Sequence, residues 1–213
     1  MKPFALVIFD CDGVLVDSER ITTGVMAAML QEMGVNISTE ALHDRVHGRS
    51  LAQCLAVMTE LLGKPLPEDF VPALRQRAAA ALWAEVTPIP GVAEALTHIE
   101  TAVTVASSGE REKMLLTLGR TGLLARFGNN IYSAADVSHA KPAPDIYLHA
   151  ARQNGVAPHA CAVVEDSPAG VQAGVAAGMT VFGYAAATPA QQLKEAGAHV
   201  VFSDMTQLPA LLN

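Results

Sequence analysis

The chain has 213 residues, half of them hydrophobic and only 16% charged, with no long polar or low-complexity tract, which excludes a disordered polymer and predicts a real buried core. Its net charge of -7 argues against nucleic acid or an anionic membrane as a general partner, while leaving room for a small anion held locally. The length is large for one domain and small for two, so a main domain with a smaller insertion is expected.

The first candidate element is Phe4 to Phe9, six apolar residues in a row, which read as a strand covered on both faces. It runs straight into Asp10 and Asp12, with Gly13 behind them. The pattern then turns helical, with Met26, Met29, Leu30 and Met33 at helix spacing until Gly34. His43 and His47 follow at i, i+4, the spacing of a zinc pair, but without the glutamate of an HExxH motif and with no third ligand apparent nearby in sequence. Leu51 to Leu62 forms a second helix-like run ending at Gly63. After the break Lys64-Pro65-Leu66-Pro67 comes a third, Val71 to Glu85. No strand is expected between Asp17 and Glu85, so this region reads as an all-helical insertion.

Beyond the punctuation Thr87-Pro88-Ile89-Pro90-Gly91, short strands alternate with helices. The expected strands are Ala102 to Ala106, Asn130 to Ser133, Ala160 to Val164, Thr180 to Gly183 and His199 to Phe202. That alternation predicts the α/β class, a doubly wound parallel sheet with helices on both faces. Residues 1–16 and 87–213 would form the α/β core and 17–86 the inserted helical domain. Cys11, Cys54 and Cys161 are odd in number and far apart, which fits a reducing compartment without disulfides. The N-terminal apolar run is too short for a signal peptide and nothing later approaches a membrane span, so a cytoplasmic location and a monomer are expected.

Ligands of open α/β sheets bind outside the carboxyl ends of the strands. Here those ends carry Asp10 and Asp12, then Ser107 and Ser108, then Lys141, then Glu165 and Asp166. Several acids with one lysine and a hydroxyl describe a site for a hard divalent cation, Mg²⁺, bearing a phosphate. The cation explains how two carboxylates tolerate each other at a buried strand end. One carboxylate can attack phosphorus and its neighbour can move the protons. Each piece also has an ordinary reading: Asp-x-Asp-Gly as a turn, Ser107-Ser108-Gly109 and Glu165-Asp166-Ser167-Pro168 as helix caps, Lys141 as a turn lysine and Cys11 as packing. Their coincidence at successive strand ends favours the functional one.

DCDGVLVDSE at 10–19, VASSG at 105–109, AKPAPDIYL at 140–148 and VVEDSPAGVQAG at 163–174 resemble, in order, the four motifs of the haloacid dehalogenase-like hydrolases, nearest to their β-phosphoglucomutase-like branch of sugar-phosphate phosphatases. The resemblance implies a Rossmann-like core with a mobile helical cap, Asp10 as nucleophile and Asp12 as general acid/base. It implies Mg²⁺ held by Asp10, the Asp12 carbonyl and Asp166, with Glu165 supporting that metal site. It also implies phosphate contacts from Ser107, Ser108 and neighbouring N–H groups, charge neutralisation by Lys141, and Arg49 as the cap residue that meets substrate. The expected activity is Mg²⁺-dependent hydrolysis of a small sugar or sugar-acid phosphate through an aspartyl phosphate. A phosphosugar mutase is the runner-up, disfavoured by Thr22 where the mutases carry a histidine; a non-catalytic phosphoacceptor module is the third reading.

Overall fold

The structure is a computed structural model that describes residues 3–213. Strand β1 (Leu6–Phe9) is fully buried because a pleated strand sends alternate side chains to opposite faces, and both faces are covered. Val7 and Phe9 enter one hydrophobic cluster, Leu6 and Ile8 another.

After β2 (Val16–Asp17) the chain forms four helices, α1 (Glu19–Glu32), α2 (Thr39–Val46), α3 (Leu51–Leu62) and α4 (Phe70–Glu85). The helix α2 is the one that periodicity did not mark, since eight mostly polar residues carry only two buried positions, Leu42 and Val46. Its start is fixed by Ser38, whose hydroxyl accepts from the Ala41 N–H at 3.1 Å. A reciprocal capping box between Ser50 and Gln53 opens α3, and Gly63 in the left-handed region closes it. These helices share their own apolar cluster, built on Met26, Leu30, Leu42, Met58, Phe70 and Leu74.

The return strand β3 (Thr87–Pro88) pairs antiparallel with β2, Val16 opposite Pro88 and Asp17 opposite Thr87. β2 spans the first expected domain boundary and β3 begins directly after the second, and two-residue strands leave no periodic signal by which to anticipate the pairing. The rest runs α5 (Val92–His98), β4 (Ala102–Ser107), α6 (Arg111–Arg120), α7 (Leu124–Phe127), β5 (Ile131–Ser133), α8 (Asp145–Gln153), β6 (Cys161–Glu165), α9 (Pro168–Ala176), β7 (Thr180–Tyr184), α10 (Ala190–Glu195), β8 (Val200–Phe202) and α11 (Leu208–Leu211).

The main sheet has the order β5-β4-β1-β6-β7-β8 with every neighbour parallel. The chain therefore winds outward from β1 through β4 and β5, then restarts on the other side with β6. That reversal puts the carboxyl end of β1 at the topological switch point, where open sheets leave a crevice. Between the helical insertion and the core, Arg75 of α4 grips Glu110 before α6 with two hydrogen bonds, the one from Nε to Oε2 being 3.0 Å. Arg120 of α6 donates from Nε to the Trp83 carbonyl at 2.9 Å, its guanidinium carbon 5.9 Å from the centre of the exposed Trp83 ring. All three cysteines are free and buried, and no helix among the described residues is long and apolar enough to cross a membrane.

The separate apolar cluster of the insertion makes it sensitive to a single cavity. Leu30→Ala, at a fully buried position, should cost about 2–5 kcal/mol in denaturant unfolding, whereas Arg75→Ala at the exposed ion pair should cost under about 1 kcal/mol. Equal losses from the two substitutions would contradict this division.

Candidate active site

Asp10 leaves β1 with its backbone still in the ladder, donating from N–H to the Val164 carbonyl at 3.0 Å, so its side chain is aimed by the sheet itself. Its Oδ1 accepts from Lys141 Nζ at 2.8 Å. The same ammonium donates to Glu165 Oε1 at the end of β6, at 2.7 Å, and to the Ala106 carbonyl in β4, at 3.3 Å. Lys141 lies 4.7 Å from the centre of the Tyr147 ring and is buried. One buried cation thus ties three adjacent strand ends together.

Glu165 is saturated. Its Oε1 also accepts from the Tyr147 hydroxyl at 2.9 Å, and its Oε2 accepts from the Ser167 N–H and hydroxyl at 2.8 and 3.0 Å. Asp166 is the opposite case, buried with no hydrogen-bond partner for Oδ2 among the described residues. Gly13 makes room for it: a side chain there would put Cβ 1.9 Å from Asp166 Oδ2, on a backbone already at φ 73°. One carboxylate oxygen each from Asp10, Glu165 and Asp166 lies within 4.8 Å of the others. An all-oxygen set with an orphaned buried carboxylate oxygen suits a hard divalent cation. Glu165 stands inside this group while its oxygens also hold Lys141, Tyr147 and Ser167.

Asp12 is held apart from Asp10 by different partners. Its Oδ1 lies 2.8 Å from Lys113 Nζ of α6 and also accepts from the Ser18 hydroxyl. Ser107 ends β4 buried, its hydroxyl accepting from the Gly109 N–H at 3.3 Å. A cavity of about 520 Å³ opens between α1, α4 and α6, with Asp12, Ser108 and Arg49 in its wall; Asp10, Lys141 and Asp166 are buried outside that wall. Arg49 has no ion-pair partner among the described residues.

The two neighbouring acids are pushed in opposite directions. Burial lifts Asp10 from its ordinary 3.8 to about 7, against the pull of Lys141 and with help from Glu165 and Asp12. For Asp12 burial acts the same way, but Lys113 and Ser18 outweigh it and hold the carboxyl below its usual range. Asp166 is raised well above the usual range by burial first, then by Glu19, Glu165 and Asp10.

Sequence alone did not single out Lys113. Ser18, Glu19 and Tyr147 stood inside the motifs without a role, and Ser167 entered only as part of a helix cap, which it is for α9. Lys113 sits among the charged residues of a helix start, Arg111-Glu112-Lys113, and nothing local distinguishes a lysine that turns inward from one that faces solvent.

The family model for haloacid dehalogenase-like hydrolases matches residues 7–184. The chain belongs to this family. A curated relative, the 6-phosphogluconate phosphatase of Escherichia coli (strain K12), is 32% identical over 212 residues, covering 99% of this chain and 96% of its own. Among solved structures, a conserved haloacid dehalogenase-like protein of unknown function from Agrobacterium tumefaciens superposes with a TM-score of 0.83 at 38% identity, over 98% of this chain and 97% of its own. A haloacid dehalogenase family hydrolase from Deinococcus radiodurans, solved with bound phosphate and sodium, gives 0.79 at 34% identity over 100% and 96%. The fold of this enzyme is that of its family, a parallel six-stranded sheet flanked by helices.

The raised carboxyls give a pH signature. Without metal, folded Asp10 keeps a proton that the unfolded chain gives up at its ordinary 3.8, so its contribution to stability falls as pH rises from there to about 7. Asp166 acts in the same direction. A cation on these carboxylates removes that loss. Chelated protein should therefore gain more melting temperature from added Mg²⁺ at about pH 8 than at about pH 5, by about 2–4 °C for each kcal/mol recovered. A gain independent of pH would contradict the assignment of Asp10 and Asp166 as the groups that need the cation.

Proposed function

We propose that this hydrolase is a Mg²⁺-dependent, cytoplasmic phosphatase of small sugar or sugar-acid phosphates that works through an aspartyl phosphate on Asp10. The observation that carries the reading is the orphaned Oδ2 of Asp166 beside an Asp10 lifted to about 7, a pair of buried acids whose ionised forms a bound cation would stabilise. Asp10, Asp166 and the Asp12 carbonyl would hold Mg²⁺, which when bound neutralises charge on the phosphoryl oxygens and on the carboxylates. The uncommitted lone pairs of Asp10 attack phosphorus, the bond from phosphorus to the substrate oxygen breaks, and Asp12 donates its proton to that oxygen. Water then loses a proton to Asp12 and attacks the same phosphorus, the bond to Asp10 breaks, and phosphate leaves. Lys141, fixed by Glu165, balances the charge on Asp10 throughout. Ser107 and the N–H groups that follow β4 offer donors to the phosphoryl oxygens.

Asp12 must begin this cycle protonated, yet Lys113 and Ser18 favour its ionised form. A phosphoryl dianion brought close to Asp12 repels its charge and raises its pKa, so the proton is taken up as substrate binds. The cavity volume suits a small metabolite. Arg49, the cation of its wall without a partner among the described residues, would meet a second anionic group such as the carboxylate of a sugar acid. The 6-phosphogluconate phosphatase activity of the Escherichia coli relative agrees with that choice.

A hydrolysis screen over phosphorylated sugars and sugar acids with Mg²⁺ tests the reading. Free phosphate should appear in proportion to substrate consumed, without an isomeric sugar phosphate, and Asp10→Asn should lower turnover at least about a thousandfold while the protein stays folded. An isomer accumulating faster than phosphate would establish the mutase instead. Arg49→Ala should raise KM for sugar-acid phosphates several times more than for neutral sugar phosphates, by about 1–3 kcal/mol in kcat/KM. An equal effect on both classes would remove Arg49 from carboxylate recognition.

A further inference from the structure

The two histidines that sequence left without a third ligand acquire one in the fold. Glu19, the first residue of α1, comes to the face of α2 that carries His43 and His47. One donor atom from each of the three side chains lies within 4.8 Å of the others. His47 Nδ1 is 2.7 Å from Glu19 Oε2, and the two imidazole rings are 5.2 Å apart, centre to centre. A second observation points to a ligand: His43 Nδ1 is buried and has no hydrogen-bond partner among the described residues. An imidazole nitrogen shut away from water without a partner is costly, and a bound cation is one way to satisfy it.

We propose that Glu19, His43 and His47 form a second metal site, distinct from the strand-end carboxylates, that takes Zn²⁺ or a similar borderline transition-metal ion. Two imidazoles and one carboxylate are a donor set of the zinc type, with ligand distances of about 2.0–2.2 Å, whereas Mg²⁺ prefers oxygen alone. A tetrahedral ion at those distances separates its ligands by roughly 3.3–3.5 Å, so Glu19 and His47 need to part by under about 1 Å to admit it. Three protein ligands leave a fourth position. Glu19 and His47 belong to the wall of the cavity that holds Asp12, so the ion would lie beside that cavity. His47 Nε2, 3.3 Å from Thr188 Oγ1 in the core, and the Gly48 N–H, 3.4 Å from Glu19 Oε1, show what the ion would brace: the loop that carries Arg49.

The test uses Co²⁺ as an optical probe on chelator-treated protein in excess Mg²⁺, which fills the all-oxygen site. One equivalent of Co²⁺ should bind with the visible absorption of a low-coordinate nitrogen and oxygen site, and stoichiometric Zn²⁺ should bleach it. His43→Ala should weaken this binding on the order of tenfold or more, as should Glu19→Gln, which keeps the shape and a hydrogen bond to His47 but loses the charge. Circular dichroism melting identifies a variant that has merely failed to fold, and either variant alone then carries the test. Co²⁺ binding unchanged in a folded His43→Ala or Glu19→Gln protein, or abolished by the excess Mg²⁺, would overturn the proposal.

Discussion

The structure depends on one buried ammonium. Lys141 is the cation shared by Asp10 and Glu165 and also bonded to the Ala106 carbonyl, so three strand ends that would otherwise present unpaired polar groups to a dry interior are held in a fixed arrangement. Deleting one member of such a cluster leaves a buried charge uncompensated, at a typical cost of about 3–5 kcal/mol. Yet Lys141 balances only part of the charge. With Asp166 beside the pair, three acids face one base, and the surplus is what a divalent cation answers. The groups that fold the sheet ends together and the groups that invite the metal are the same groups.

Two acids separated by one residue acquire opposite tendencies because they are handed to different neighbours. Asp10 stays with the sheet, buried beside other acids, and is raised; Asp12 turns towards α6 and the start of the helical insertion, where Lys113 and Ser18 lower it. The division of labour proposed for them rests on this divergence. It is imposed mainly by residues a hundred or more positions away in the chain, Lys113 above all, with Ser18 the contribution of the local motif.

Much of the architecture could be read from periodicity. Phe4 to Phe9 announced a strand covered on both faces because its apolar run has no polar alternation, and the five later strands fall within one residue of their expected ends. The strand-end rule then gathered Asp10, Lys141, Glu165 and Asp166 correctly, since topology brings the ends of parallel strands together whatever their separation in sequence. What escaped was what depends on side-chain direction. Lys113 and Tyr147 lie inside helices, where charge and aromaticity say nothing about which face turns inward. Glu19 meets His43 and His47 only because α1 and α2 pack together, and the partnership is invisible to a search for nearby ligands. The ribbon of β2 and β3 was too short to show a period, so the pairing that joins the two ends of the helical segment could not be read from sequence.

The contact between Arg120 and Trp83 has a practical side. Trp83 is the single tryptophan of the chain, and it sits at the end of α4 with its ring exposed and a core arginine against it. Indole emission responds to solvent and to nearby charge, so the molecule carries a native fluorophore on the seam between its two lobes. Light emitted there is sensitive to the contact between α4 and α6, with no label attached and no second indole to obscure the signal.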